Sequence, residues 1–213
     1  MPKSSPTNWK VVIGLLLLGA LLALPAGMLS TLVLSGEPHD LVKPAYTKRP
    51  LPFLLHAMPG VVFWLLMPFQ FSPRLRAKWP TWHRIGGRLA VLSALILGLS
   101  SIWLVAFFPT DGGFLRHANL LITGAGTVVA FGYAISAACR KDFNTHRVWM
   151  MRAVAIIYGA ATTAIVSIPL YLTFGEFPYW LTEIDRWAGV ALNLAVVEWI
   201  LRRENHAEPV RAD

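Results

Sequence analysis

Six apolar runs divide the chain, at residues 11–34, 51–71, 82–108, 115–138, 146–173 and 187–201, with polar stretches between them. Several approach or exceed the roughly 20 apolar residues that a helix needs to cross a bilayer. The pattern predicts an all-α protein, a six-transmembrane-helix bundle. Its predicted parts are an N-terminal segment at 1–10, a membrane domain at 11–203 with core helices at 51–173, and a tail at 204–213. The first run is longer than the core of a secretory signal, so a retained helix is expected rather than a cleaved leader. Pro59, Gly60 and Pro68 predict a kink in the second run, and 109–113 (Pro-Thr-Asp-Gly-Gly) a tight turn. The fourth run is rich in Gly, Ala, Ser and Thr, which permits close helix approach or leaves room for a flat ligand.

Two stretches read alike. One opens at Leu55-His56-Ala57 and closes at His83-Arg84-Ile85-Gly86-Gly87-Arg88. The other opens at Arg116-His117-Ala118 and closes at His146-Arg147-Val148-Trp149-Met150-Met151-Arg152. The histidines are 27 residues apart in the first and 29 in the second. This predicts a repeated helical hairpin, helices 2–3 and helices 4–5.

Composition agrees with a membrane protein: 55% of residues are hydrophobic and 14% charged, against about 25% charged in soluble domains. The net charge of +8 does not point to nucleic acid, because the basic residues collect in alternate connections. The basic ends are the N-terminus, 73–88, 140–152 and Arg202-Arg203, while Glu176, Glu183 and Asp185 make the connection before the sixth run acidic. The positive-inside rule then puts both termini in the cytoplasm of a multi-pass plasma (inner) membrane protein. One cysteine, Cys139, excludes an internal disulfide, a Cys-x-x-Cys-His haem attachment and a cysteine-held iron–sulfur cluster. It is expected to be a small packing residue.

This topology places His56 and His117 near the outer face and His83 and His146 near the inner face. Each pair comes from alternating helices, two with four and three with five. Paired imidazoles are what bis-histidine haem ligation needs. From His56 to Phe71 a helix rises roughly 22 Å, so two b-type haems near opposite faces would carry an electron across the bilayer. Haem propionates are anionic, and Arg84, Arg88, Arg147 and Arg152 fall beside the inner pair, with Arg116 and Arg49 toward the outer one. Taken one at a time, the histidines also read as interfacial side chains, and the arginines as topology charges or lipid-phosphate contacts. His39 and His206 have no partner in the pattern.

The motifs at Leu55-His56-Ala57, Pro68-Phe69-Gln70-Phe71 with Pro73-Arg74-Leu75-Arg76, His83–Arg88 and His146–Arg152 resemble a bacterial family of predicted membrane proteins catalogued as a domain of unknown function. That resemblance implies no activity. More distantly, the architecture is similar to the six-helix, two-haem cytochrome b-561 type. This second resemblance implies ligation of one haem from helices two and four and of the other from three and five. The histidine pairing and this resemblance together make a transmembrane oxidoreductase the expected activity, with a quinone or other small molecule as electron donor and the lipid bilayer as partner. The alternative reading is a haem-free membrane protein, a small transporter or assembly partner, whose histidines are interfacial or bind a divalent metal. Glu198, inside the sixth run with Asn193 just over a turn before it, is costly in a membrane and is expected to pair with Arg202 or Arg152. Trp79, Trp82, Trp149, Trp180 and Trp187 are expected interface anchors. Trp64 and Trp103 lie deeper, where core or lipid packing is expected.

Overall fold

A computed structural model describes residues 9–108, 113–175 and 178–207, and every regular element in them is a helix. In chain order these are α1 (Trp9–Ser35), α2 (Pro44–Lys48), α3 (Pro50–Gln70), α4 (Pro73–Lys78), α5 (Pro80–Phe107), α6 (Gly113–Cys139), α7 (Phe143–Phe174) and α8 (Tyr179–Ala207). The long helices α1, α3, α5, α6 and α7 are each long and apolar enough to cross a membrane. The all-α membrane character expected from the sequence is therefore present. α8 is long enough but does not reach that apolar threshold, because Glu183, Asp185, Arg186, Glu198, Arg202, Arg203 and Glu204 fall along it.

The starts of four helices follow from proline. Pro44, Pro50, Pro73 and Pro80 each open a helix, where the missing N–H costs nothing and the ring already sets a helical φ. The polar 35–50 stretch and the basic 73–88 stretch, expected as loops, thus hold α2 and α4. Ser72 caps α4 by accepting the Leu75 N–H at 3.2 Å. α3 runs helical through both Pro59 and Pro68. Of the expected 109–113 turn only Gly113 lies among the described residues, with φ +60° at the start of α6. The second basic stretch is a tight turn: Lys141 takes φ +62°, and Asp142 caps α7 by accepting the Thr145 N–H at 3.0 Å.

The chain forms two compact units, residues 1–109 and 110–213. In the first, α3 packs against both α1 and α5. α5 offers a stripe of small residues, Gly86, Ala90, Ser93, Ala94, Gly98 and Ser101, recurring every three or four positions. The large side chains of α3, Phe63, Trp64 and Met67, are buried in this unit. Trp64 is thus a core residue, edge-on to Phe63 at 5.3 Å between centroids, and Trp103 is more exposed. In the second unit α7 is central, packed on α6 and α8, and buries Ala153, Ala155, Tyr158, Gly159, Ala161 and Thr163.

Two expectations are corrected here. Cys139 is exposed at the end of α6 rather than packed, because the buried face of that helix runs through Ala130, Ala134 and Ala137 and passes it by. Glu183 and Asp185 lie not in a loop but in α8, and Glu183 is fully buried. Their charges are turned inward onto partners on α6 and α7, which sequence polarity alone does not distinguish from a solvated loop. Trp79, Trp82 and Trp180 are exposed near helix ends, as interface anchors should be.

Candidate functional site

The four histidines are all half-buried, none sealed and none fully exposed. Three have the same local chemistry. His117 lies in the first turns of α6, and its Nδ1 is 2.8 Å from the Gly113 carbonyl. His146 opens α7, and its Nδ1 is 2.9 Å from the Ala134 carbonyl on α6. His56 lies on α3, with Nδ1 3.3 Å from the Ser100 hydroxyl of α5. A carbonyl can only accept, so His117 and His146 must donate from Nδ1. The Ser100 hydroxyl also lies 3.0 Å from the Leu97 carbonyl, and with its proton placed there it accepts from His56 Nδ1 in the same way. In neutral imidazole the lone pair is then on Nε2 in all three. This oxygen-held Nδ1–H, which fixes tautomer and ring direction, is what a metal-ligating histidine uses.

His83 shares a face of α5 with Gly86 and Gly87, at the i, i+3 and i+4 spacing. That face carries a second polar feature. The Gln70 amide is buried over the two glycines: a Cβ on Gly86 would lie 3.0 Å from Gln70 Nε2, and one on Gly87 3.2 Å from Gln70 Oε1. Neither Gln70 amide atom makes a protein hydrogen bond. Arg84 and Arg88 are exposed on the same helix.

The other two expected arginines have carboxylate partners. Arg152 binds Glu198 through two hydrogen bonds, Nε to Oε1 at 2.6 Å and Nη2 to Oε2 at 3.1 Å. Glu198 is thus paired as the sequence suggested. Arg147 binds Glu204 the same way, at 2.8 and 2.7 Å. Trp149 stacks on Tyr133, with centroids 4.8 Å apart, and the Arg152 guanidinium lies 5.0 Å from its ring. Between α7 and α8, Thr162 donates to Asn193 Oδ1 at 3.0 Å, Asn193 Nδ2 donates to the Ala155 carbonyl at 3.3 Å, and the Ser167 hydroxyl binds Asp185.

A further charged cluster escaped the sequence reading. Glu183 lies between Arg116, 3.9 Å away, and Arg186, 3.5 Å away. Nothing in the spacing of 116 and 183 announces this, although the depth of an acid one turn into a helix was a readable signal. Among the described residues no three His, Cys, Asp or Glu side chains converge as a metal site.

Residues 53–201 match the family model described as predicted membrane protein DUF2306. No curated protein and no solved structure matches the chain.

Proposed function

We propose that this chain, which belongs to the DUF2306 family of predicted membrane proteins, is a di-haem b-type transmembrane electron carrier. His56 and His117 hold the outer haem and His83 and His146 the inner, an assignment that rests on the side-matching of the histidines in the sequence. The observation that carries the reading is the shared Nδ1 donation of His56, His117 and His146, which leaves Nε2 as the ligating nitrogen of each. Gly86 and Gly87 beside His83 carry no side chain of their own, and the Gln70 amide that covers them keeps its hydrogen-bonding capacity unspent among the described residues, which suits a polar substituent of a bound group. Arg84 and Arg88 are the first choice for propionates, since Arg147 and Arg152 would have to share with Glu204 and Glu198. Haem b held by two imidazoles supplies one-electron ferric–ferrous chemistry. The protein's part is to fix ring directions and exclude a third ligand. A quinol in the bilayer is the donor class that fits a membrane carrier.

The same reading takes α8 as the sixth span, with both termini in the cytoplasm of an inner-membrane protein. Along 181–199 the exposed positions are Leu181, Ile184, Ala188, Ala191, Leu192, Ala195, Val196 and Trp199. The polar Thr182, Glu183, Asp185, Arg186, Asn193 and Glu198 are covered or half-covered. A soluble surface helix has the opposite arrangement, and ionisable groups in a membrane helix face the bundle interior.

A reduced-minus-oxidised visible spectrum of the detergent-purified protein, with haem measured per chain, tests the proposal. The expected result is six-coordinate b-type bands and two haems, with His56→Ala and His83→Ala each removing one. No haem after expression with a haem precursor would overturn it. The second reading, a haem-free transporter or assembly partner, is favoured by the ionisable groups that α8 turns inward. Ion-dependent uptake into liposomes, unchanged in His83→Ala, would support that one.

A further inference from the structure

Among the described residues three arginine–carboxylate contacts join α8 to the rest of the second unit, and one of them is unlike the other two. Arg147–Glu204 and Arg152–Glu198 are bidentate, with hydrogen bonds of 2.6 to 3.1 Å. Both lie in partly open surroundings, with side chains 45% and 46% exposed in the first pair and 31% and 38% in the second. At Glu183 the order is reversed. The carboxylate is 0% exposed, where a hydrogen bond would be worth most, yet neither oxygen accepts one from the described residues. The nearest guanidinium nitrogens are Arg186 Nε at 3.5 Å and Arg116 Nη1 at 3.9 Å. The Nε of Arg116 and the Nε of Arg186 are themselves buried without an acceptor. Two rigid donor forks thus bracket a carboxylate that satisfies neither.

The surroundings favour an anion at this point. Arg116 stands in the first turn of α6 and Glu183 and Arg186 in the first turns of α8, so two positive helix ends serve this end of the unit. The charged groups here are Arg116 from α6 and Asp185, Glu183 and Arg186 from α8. Within α7 the charged side chains, Arg147 and Arg152, lie toward the opposite end, and the local contribution is the Ser167 hydroxyl, spent on Asp185. Asp185, hydrogen-bonded by Ser167, is a second counter-charge acting on Arg186, while Glu183 is the carboxylate that lies between both arginines. The arginine side chains are 29% and 32% exposed, so the cradle is reached past their tips while the orphan Nε groups lie inside.

We infer that Arg116 and Arg186 form a binding cradle for a phosphate-class oxyanion, and that Glu183 is a built-in, displaceable occupant of it. Planar guanidinium forks match phosphate geometry through paired N–H···O bonds, and a tetrahedral oxyanion offers acceptors to both Nε groups at once, which one carboxylate at 3.5 and 3.9 Å does not. The oxyanion is supplied either as free phosphate or as a lipid headgroup. The inference stands apart from haem: it uses side chains of the second unit alone, and its readout is phosphate.

The experiment measures inorganic phosphate binding to the purified full-length protein by calorimetry, with co-purified lipid phosphorus assayed in parallel. Glu183→Gln removes the competing charge at nearly constant shape. It should tighten phosphate at least tenfold relative to the native chain, and adding Arg186→Gln to it should abolish the gain. Retention of washed-in phospholipid by Glu183→Gln without uptake of inorganic phosphate would support the same cradle and identify the headgroup as its source. If Glu183→Gln does not fold, Glu183→Asp withdraws the carboxylate by one methylene and should tighten phosphate in the same direction. A folded Glu183 variant that binds neither phosphate nor phospholipid more tightly than the native chain overturns the inference.

Discussion

At the scale of single residues, two glycines let α7 and α8 approach closely. A Cβ on Gly189 would lie 2.6 Å from the Gly159 carbonyl, and one on Gly159 2.9 Å from Val190 Cα. Those obstacles are backbone, so the helices themselves must separate. Gly189→Ala should therefore cost about 1–3 kcal/mol, read as a lower melting temperature in detergent. Gly132 has nothing within 4 Å of its Cβ position, and Gly132→Ala should be neutral or stabilising by no more than about 1 kcal/mol. Asp142 makes a second residue-scale prediction. The Thr145 hydrogen bonds, side chain first and backbone second, hold its carboxyl below the ordinary value of 3.8. A depressed folded-state pKa means that the cap is fully formed above 3.8 and is lost as pH falls through the lower folded value. Amide exchange in the first turn of α7 should therefore accelerate only below pH 3.8, and Asp142→Ala should show that faster exchange at neutral pH. An unchanged first turn in Asp142→Ala would remove the cap's role.

At the scale of elements, α8 is held by polar groups that point inward, and their worth depends on how much water reaches them. Glu198→Gln leaves Arg152 charged beside a membrane helix without its partner. It should cost about 1–3 kcal/mol, and Arg152→Gln in the same chain should recover part of the loss, the sign of coupling within one pair. Glu204→Gln breaks a more exposed pair and should stay within about 0.5 kcal/mol. Equal losses from the two variants would show that exposure does not set the strength of these pairs. The same helix marks how far sequence reading went. The apolar runs located every long helix, and Arg152–Glu198 was among the pairings foreseen, because length, apolarity and a costly intramembrane acid are local signals. The first turns of α8 were read as loop because Glu183 and Asp185 are compensated by Arg116 and Ser167, residues distant in sequence. The oxygens that orient His56 and His146 are likewise on neighbouring helices, at Ser100 and Ala134. Only the Gly113 acceptor of His117, one turn back on its own helix, was available to a one-dimensional argument.

At the scale of the whole molecule, the decisive question is whether α8 crosses the bilayer, because an odd or even number of spans sets the sides of the two termini. Among the described residues apolarity alone gives five candidate spans, an odd number that would put the termini on opposite faces. The outward stripe from Leu181 to Trp199 is apolar at every exposed position. A helix lying on the membrane surface would instead have to present its charges to water along one side, and here they are turned toward α6 and α7. The proposed crossing would put that apolar stripe in lipid and leave the ionisable groups of 181–199 paired or facing α6 and α7. The single cysteine provides the assay. Cys139 is exposed at the end of α6, beside the basic Arg140 and Lys141, and should react with a membrane-impermeant maleimide in inverted vesicles but not in intact cells. In a Cys139→Ser background, Ser4→Cys and Asp213→Cys should then both react from that same side. If Asp213→Cys reacts only from the opposite face, α8 does not span. Its inward charges would then need a different explanation, and the positive ends at Arg202 and Arg203 would lie outside, against the charge rule that the rest of the chain obeys.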